Sequence, residues 1–344
     1  MNRPTITDLA AEAGVSISTV NRLLGGQGNV RNSTMQRVQS AAEKIGFYGL
    51  GVIDYRVREA APIYRLGFLL QQSTRPLYQL FNQEIVKACH RRQNEIIEPV
   101  VDFVDELTPE NIAAGLKELG NSCDAVSLIA PDHPVISHAI SDLEKNGVPV
   151  VSYITDQSTP ERSAFVGTDN WKLGRTAAYL MANMAQQPGR IAVFIGHHRY
   201  QCQDVSDASF RSYIREHAPH LVVEDSRPTY EQPKLAYKMM RELLLASEDL
   251  VGVLVVGGGL SGILQALREI PEQRRKKIRL ICRDASPETI TGLSEGLITA
   301  TLSHPIAPMS DLLVKTMIDL IKMDAQEFTM QKTIPFEIIT PENL

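Results

Sequence analysis

The sequence predicts a small all-α head joined to a larger α/β body made of two lobes, each on a doubly wound parallel sheet. Three observations carry the prediction. Helix-period patterning fills roughly the first 46 residues. From about residue 63, near-continuous β-branched runs alternate with helical stretches, the pattern of parallel sheets buried on both faces. Eight or more such units in about 280 residues suit two sheets better than one.

The head opens with "TITDLAAEAGVSISTVNRLL". Thr5 caps a first helix, and Asp8 three residues on completes a capping box. Leu9, Ala10 and Ala13 form its inner face, and Gly14 ends it in the left-handed conformation. Ser16 caps a second helix with Val20, Leu23 and Leu24 turned inward, stopped by Gly25 and Gly26. A third runs from about Asn32 to Ile45, with Met35, Val38 and Ala42 inward, and ends at Gly46. The head is assigned to residues 1–48. Residues 49–62, "GLGVIDYRVREAAP", form a hinge or linker that can be helical, with Ile53 and Val57 on one face.

In the body, "YRLGFLLQ", "IIEPVVDF", "DAVSLIA" and "VPVVSYIT" read as the first strands. "RIAVFIG", "HLVVEDS", "GVLVVGG", "IRLICRD" and "TIPFEIIT" follow. The break between lobes is placed in "TDQSTPERS". The first lobe then comprises residues 63–162 plus 292–322, and the second residues 163–291 plus 323–344.

Composition narrows the class. With 43% hydrophobic and 22% charged residues, the 344-residue chain is an ordinary globular protein. It has no apolar run of membrane-spanning length, and "MNRPTITDLA" lacks the apolar core of a secretory signal, so a cytoplasmic protein without a membrane partner is expected. Four scattered cysteines form no C-x-x-C pair and read as buried reduced thiols. His and carboxylates show no metal spacing. No G-x-S-x-G, H-E-x-x-H or P-loop is present, so no enzyme, metal or cofactor is expected. The net charge of −5 is uneven: residues 1–60 hold seven Lys/Arg against five Asp/Glu, and the rest 28 against 35. A slightly basic head on an acidic body suits local contact with a polyanion.

The spacing of the first two helices is that of a helix-turn-helix, whose second helix lies in a DNA major groove. With Val20, Leu23 and Leu24 inward, that helix turns Ile17, Ser18, Asn21 and Arg22 outward. Arg22 suits guanine O6 and N7, Asn21 adenine or phosphate, Ser18 either, and Ile17 a thymine methyl. Thr5, Ser16 and Thr19 stand at helix starts, where hydroxyls and amides meet phosphates. A plain three-helix packing module has the same spacing.

These residues also carry a family resemblance. "TITDLAAEAGVSISTVNRLLGG" followed by "VRNSTMQRVQSAAEKIGF" resembles the DNA-binding head of LacI/GalR-type transcriptional regulators. "FVGTDNWKLGRTAAYLM" and "EGLITATLSHPIAPM" resemble segments of that family's body. The resemblance implies a homodimeric regulator, a repressor or activator, on a near-palindromic operator. Its body would resemble periplasmic sugar-binding proteins and clasp a sugar, polyol or sugar derivative between its lobes. The last residues, "TPENL", show no leucine heptad tail, which favours a dimer over a tail-joined tetramer. Two departures from the family stand out. Arg56 falls near the leucine that in the family wedges into the minor groove, so it either reads a narrow minor groove or belongs to an ordinary linker helix. Ser206 and Leu260 replace two polar groups usual in the sugar pocket, and Ser209 stands where the family has Gly-Phe, pointing to a smaller or less hydroxylated effector, a phosphorylated one, or a silent pocket.

Strand C-termini supply the cleft candidates of an open α/β sheet. These are Gln71, Tyr78, Asp132, His133, Asp169, Arg199, Asp284 and His304. Asp132 and Asp169 can equally cap the helices that follow them. Gly257, Gly259 and Gly262 satisfy G-x-G-x-x-G, with Asp284 ending the next strand. That pattern admits a nucleotide-binding dehydrogenase, and a glycine-rich strand end at an inter-lobe cleft explains the same residues. A periplasmic-type sugar receptor is the other alternative; the head and the missing signal speak against it.

Overall fold

The computed structural model describes residues 3–26, 30–185, 187–323 and 328–344. The chain divides into two compact units, Met1–Arg65 with Val86–Pro99, and Leu66–Ile85 with Val100–Leu344.

The first unit begins with α1 (Ile6–Ala13), α2 (Ile17–Gly25), α3 (Asn32–Ile45) and α4 (Leu50–Glu59). The local signals act as expected. Thr5 and Asp8 form a complete capping box, and Gly14 ends α1 at φ 62°. Ser16 accepts from the Thr19 amide at the start of α2. Leu9, Val20, Leu23, Met35 and Val38 meet in one apolar core. Arg37 Nη2 reaches from α3 to donate to the carbonyls of Ala13 and Gly14, at 2.7 and 3.0 Å, satisfying the end of α1. The residues read as a linker do more than link. Ile53 and Val57 of α4 are fully buried in that same core, and Gln39 donates to Asp54 at 2.8 Å.

The body begins with β1 (Ile63–Gln71), α5 (Pro76–His90), β2 (Ile96–Val104), α6 (Pro109–Gly120), β3 (Ala125–Leu128), α7 (Pro134–Lys145), β4 (Val150–Tyr153) and β5 (Ala164–Thr168). The chain continues with α8 (Asn170–Met184), β6 (Gly189–Ile195), α9 (Gln201–His217), β7 (Leu221–Val223), β8 (Arg227–Pro228), α10 (Pro233–Ala246) and β9 (Leu250–Val255). It ends with α11 (Leu260–Arg268), α12 (Glu272–Arg275), β10 (Arg279–Arg283), α13 (Pro287–Ser294), β11 (Ala300–Ser303), α14 (Ile306–Lys322), β12 (Met330–Ile334) and β13 (Glu337–Ile339). One sheet has the order β12-β5-β4-β3-β1-β2. The other runs β13-β11-β10-β9-β6-β7, with β8 also on β6.

The second sheet shows why its strands read as continuous apolar runs. Val253 and Val255 of β9 face Ala236, Met240, Ile263 and Leu264 of α10 and α11. Their neighbours Leu254 and Val256 face Leu173, Ala177, Phe210 and Ile214 of α8 and α9. Both faces are covered, so both alternating sets must be apolar. In the first lobe, Leu69, Val126 and Leu128 pack on α6 and α7 through Ile112, Leu116, Ile136 and Ile140. Among the described residues no helix is long and apolar enough to cross a membrane.

The lobe boundaries differ from the sequence expectation in three places. β5 pairs with β4 and β12, so the first lobe extends through Thr168 rather than ending at residue 162. β11 pairs with β10 in the second lobe, so the chain returns after Ser303, not at residue 292. "TIPFEIIT" is two strands: β12 lies in the first lobe, and β13 runs antiparallel to β11 in the second. The last crossing therefore falls near Pro335 rather than at residue 323. For β5 and β11 the reason is that a strand buried on both faces has the same composition in either sheet, and its partner is fixed by tertiary register. β12 and β13 are largely exposed edge strands, whose side chains do not record which sheet they join.

Candidate functional site

The head presents α2 with one face in the core and one in solvent. Ile17, Ser18, Asn21 and Arg22 are all exposed, and Ile17 is 46% exposed although apolar. Ser16 Oγ lies 2.8 Å from both Ser18 Oγ and Thr19 Oγ1, and Arg22 Nη2 lies 3.5 Å from Thr19 Oγ1. Thr5 is exposed and engaged with Asp8. The hydroxyls and the guanidinium thus stand along one edge of a capped helix, beside an amide-rich N-terminus that favours anions. Arg56 is placed differently from the others. Its guanidinium lies against Gly26, and it pairs with Glu59 at 2.7 Å while its Nε has no partner.

In the second unit, a cleft separates the ends of the two sheets. Its outer mouth, about 790 Å³, is bounded by residues including Arg75, Glu231, Leu260, Arg283, Asp284 and Ser286. An inner cavity of about 50 Å³ lies among Tyr78, Phe81, Tyr200, Cys202, Arg283, Asp284 and His304. Arg75 and Glu231 border both spaces. Arg75 Nη1 donates to Glu231 Oε2 at 2.5 Å, joining the β1–α5 loop of one lobe to the β8–α10 loop of the other. Burial opposes the Arg75 charge, yet the Glu231 carboxylate outweighs it and raises the guanidinium's pKa.

The cavity wall is polar and incompletely satisfied. Arg283 Nη2 donates to Thr168 Oγ1 at 3.2 Å, Asn170 Oδ1 at 2.9 Å and His304 Nε2 at 2.9 Å. Its Nε and Nη1 have no partner, nor do Asp284 Oδ1 and His304 Nδ1. Burial and the neighbouring Arg283 hold the His304 pKa well below the ordinary histidine value, so the ring is neutral. Because arginine only donates, His304 Nε2 accepts and its proton sits on Nδ1. Burial raises the Asp284 pKa, against the pull of Arg283 and Arg75. Unmet donors on Arg283 and His304 beside an unmet acceptor on Asp284 suit a ligand that both gives and takes hydrogen bonds, as a hydroxyl does. On the same wall Tyr78 and Tyr200 both donate to Gln71 Oε1 at 3.0 Å, and burial pushes both phenols up.

Of the sequence candidates, Tyr78, Asp284 and His304 line the cavity, and Gln71 supports it from behind. The others fall elsewhere. His133 caps α7, and Asp169 caps α8 while pairing with Lys172. Asp132 and Arg199 bond each other across the lobes, the Asp132 amide to the Arg199 carbonyl at 2.7 Å and Arg199 Nη1 back to the Asp132 carbonyl at 3.1 Å. Sequence reasoning missed Arg75, Tyr200, Glu231 and Arg283. Arg283 adjoins Asp284 at a strand end, so the rule that found one could have found the other. Glu231 sits in a loop and gave no signal. Ser206 and Ser209 are spent inside α9, bonding carbonyls of Cys202 and Ser206.

The glycine pattern has a packing explanation. A Cβ on Gly257 would overlap the Gly196 backbone, and one on Gly262 would overlap the Pro233 carbonyl. These glycines let β9 approach the end of β6, and α11 approach α10.

Two family models match separate parts of the chain. Residues 5–49 match the model for bacterial regulatory proteins of the lacI family, and residues 81–325 match the periplasmic binding protein domain. An uncharacterized HTH-type transcriptional regulator in the aml 5'region of Streptomyces limosus is 28% identical over 200 residues, 57% of this chain and 54% of that protein. The match thus spans about half of that relative's length. The sucrose operon repressor of Lactococcus lactis is 22% identical over 337 residues, 95% of this chain and 96% of the repressor. GanP, a glucose-galactose binding protein from Geobacillus stearothermophilus, superposes with a TM-score of 0.72 at 19% identity, covering 82% of this chain and 99% of GanP. That likeness shows the fold.

Proposed function

The chain belongs to the lacI family of bacterial regulatory proteins, with a periplasmic binding protein domain as its body, and on that premise we propose that it is a cytoplasmic repressor released or recruited by a sugar-like effector. Two heads of a homodimer grip a near-palindromic operator. Thr5, Ser16 and Thr19 hold phosphates, while Ile17, Ser18, Asn21 and Arg22 read base edges. The observation that carries this reading is the exposed outer face of α2, with groove-reading residue types on a helix whose other face is locked in the core. The effector sits in the inter-lobe cleft, where Arg283, Asp284 and His304 meet its hydroxyls and Tyr78 packs on its ring. The sucrose operon repressor and the glucose-galactose binding protein support a saccharide class. Effector binding changes how far the lobes close and so shifts the population competent for DNA.

The test is fluorescence anisotropy of a labelled duplex from the region upstream of the gene, beside scrambled DNA of equal length, at two salt concentrations. Selective binding that weakens with salt supports the reading. Equal weak binding to both duplexes, followed by failure of a genomic DNA selection, would overturn it. Sugars and polyols added to the complex then report the effector by release or tightening.

A further inference from the structure

The cleft contains a feature that a simple binding pocket does not need. The Glu231 carboxylate is almost fully buried between the lobes, with a side-chain exposure of 7%. A Cβ on Gly196 or on Gly258 would overlap its oxygens, so both glycines are part of the space it fills. Gln203 Nε2 donates to Glu231 Oε1 at 3.3 Å, while Gln203 Oε1 accepts from the Gly196 amide at 2.6 Å. The loop that delivers it is strained: Tyr230 and Glu231, both with side chains, hold φ values of 49° and 59°. The carboxylate and Arg75 border both the mouth of about 790 Å³ and the inner cavity of about 50 Å³, together with Leu77, Gly257, Arg283 and Asp284. The inner space alone is well below the size of a ligand pocket, whereas the mouth already falls within the usual range, so joining the two adds the polar inner wall rather than much volume.

Resting on the reading of this cleft as the effector site, we propose that Arg75 and Glu231 form an ionic latch that holds the lobes together and competes with the effector for the cleft. While the pair is closed, His304 borders only the inner cavity, whereas Arg283 and Asp284 reach both spaces with their unmet atoms buried. When it opens, the Glu231 loop leaves the left-handed region and the two spaces merge. Buried pairs offset their desolvation only narrowly, and backbone strain tilts this one toward release. The latch is therefore a two-state element that a modest ligand can bias. Glu231 sets how much of the effector's affinity is used in opening it.

The experiment compares the full-length protein with Glu231→Gln, Arg75→Gln and the double variant by small-angle X-ray scattering without ligand. The amide of glutamine keeps the shape that fills the glycine-lined space, and thermal unfolding of each variant checks that it is folded. Each single variant is expected to show a larger radius of gyration than the wild type. The double variant should match the singles, because all three remove the same pair. Scattering curves that superpose across all four proteins overturn the latch, and so does opening that adds up in the double variant. Calorimetric titration with D-galactose, D-ribose and sucrose forms the second arm. A sugar that binds should gain about tenfold in Glu231→Gln, the shift expected when a closed state in tenfold excess is removed. Binding of none of them to any variant, with the scattering change present, would count against the effector cleft and leave the latch standing.

Discussion

Arg56 lies across Gly26, so close that a methyl group on that glycine would overlap the guanidinium, and α4 packs against α2. With Ile53 and Val57 fully buried beside Leu9 and Val20, α4 is a fourth helix of the head rather than a tether. Ile53→Ala is expected to lower the head's stability by about 2–5 kcal/mol, the usual cost of such a core truncation. Hydrogen exchange of the full chain checks this: amides of α1 to α3 should exchange faster in the variant. Unchanged protection there would mean α4 does not support the head.

Arg22 is exposed on α2 and bonds only weakly to Thr19, so it is free to turn toward a base. Arg22→Ala should weaken operator binding by about 1–3 kcal/mol and relax choice at one base pair. Anisotropy across single-base operator variants decides it. A uniform loss across all variants would reassign Arg22 to phosphate contact.

Asp156 and Arg162 form a pair that staples the first lobe near β4. Arg162 Nε and Nη2 donate to the two Asp156 oxygens at 2.6 and 2.7 Å, and Ser152 and Gln331 also bond that carboxylate. Burial alone would raise the Asp156 pKa, but Arg162 and the other donors outweigh it and hold it below the ordinary 3.8. A depressed folded-state pKa means the unfolded chain takes up the proton first. The pair's stabilisation is therefore complete well above pH 3.8 and is lost as pH falls through that value toward the lower folded one. Asp156→Asn should flatten the acid limb of the melting-temperature profile, and Arg162→Ala should cost about 3–5 kcal/mol near neutrality. A variant that melts in parallel with the wild type from pH 7 to 3 would contradict this role.

Gly262 separates two explanations of the glycine pattern. Gly262→Ala should cost about 1–3 kcal/mol in thermal unfolding, because its Cβ would press on the Pro233 carbonyl of α10. NAD added to the wild type should leave Trp171 fluorescence unchanged. Quenching that saturates would revive nucleotide binding.

What was legible in the sequence was local. The capping box of Thr5 and Asp8, the Ser16 cap and the glycine stops each act within four residues, so the head's three helices could be read directly. The apolar runs announced their strands because burial on both faces leaves little choice of residue. Sheet membership was not legible, since β5 and β11 carry the same composition as their neighbours in either lobe. Nor was the latch: Arg75 and Glu231 are 156 residues apart and are ordinary loop residues until the fold brings them together. Tyr78, Asp284 and His304 were found because strand ends converge on the cleft; His133 and Asp169 sit at such ends too, but serve as caps.

The chain passes between the lobes three times, after β5, after β11 and between β12 and β13. One crossing would act as a swivel, free to twist and bend. Three crossings share any twist or slip among them, so each lobe is tethered to the other at several points of the chain. A change in the cleft is then carried to both lobes along three separate stretches of backbone.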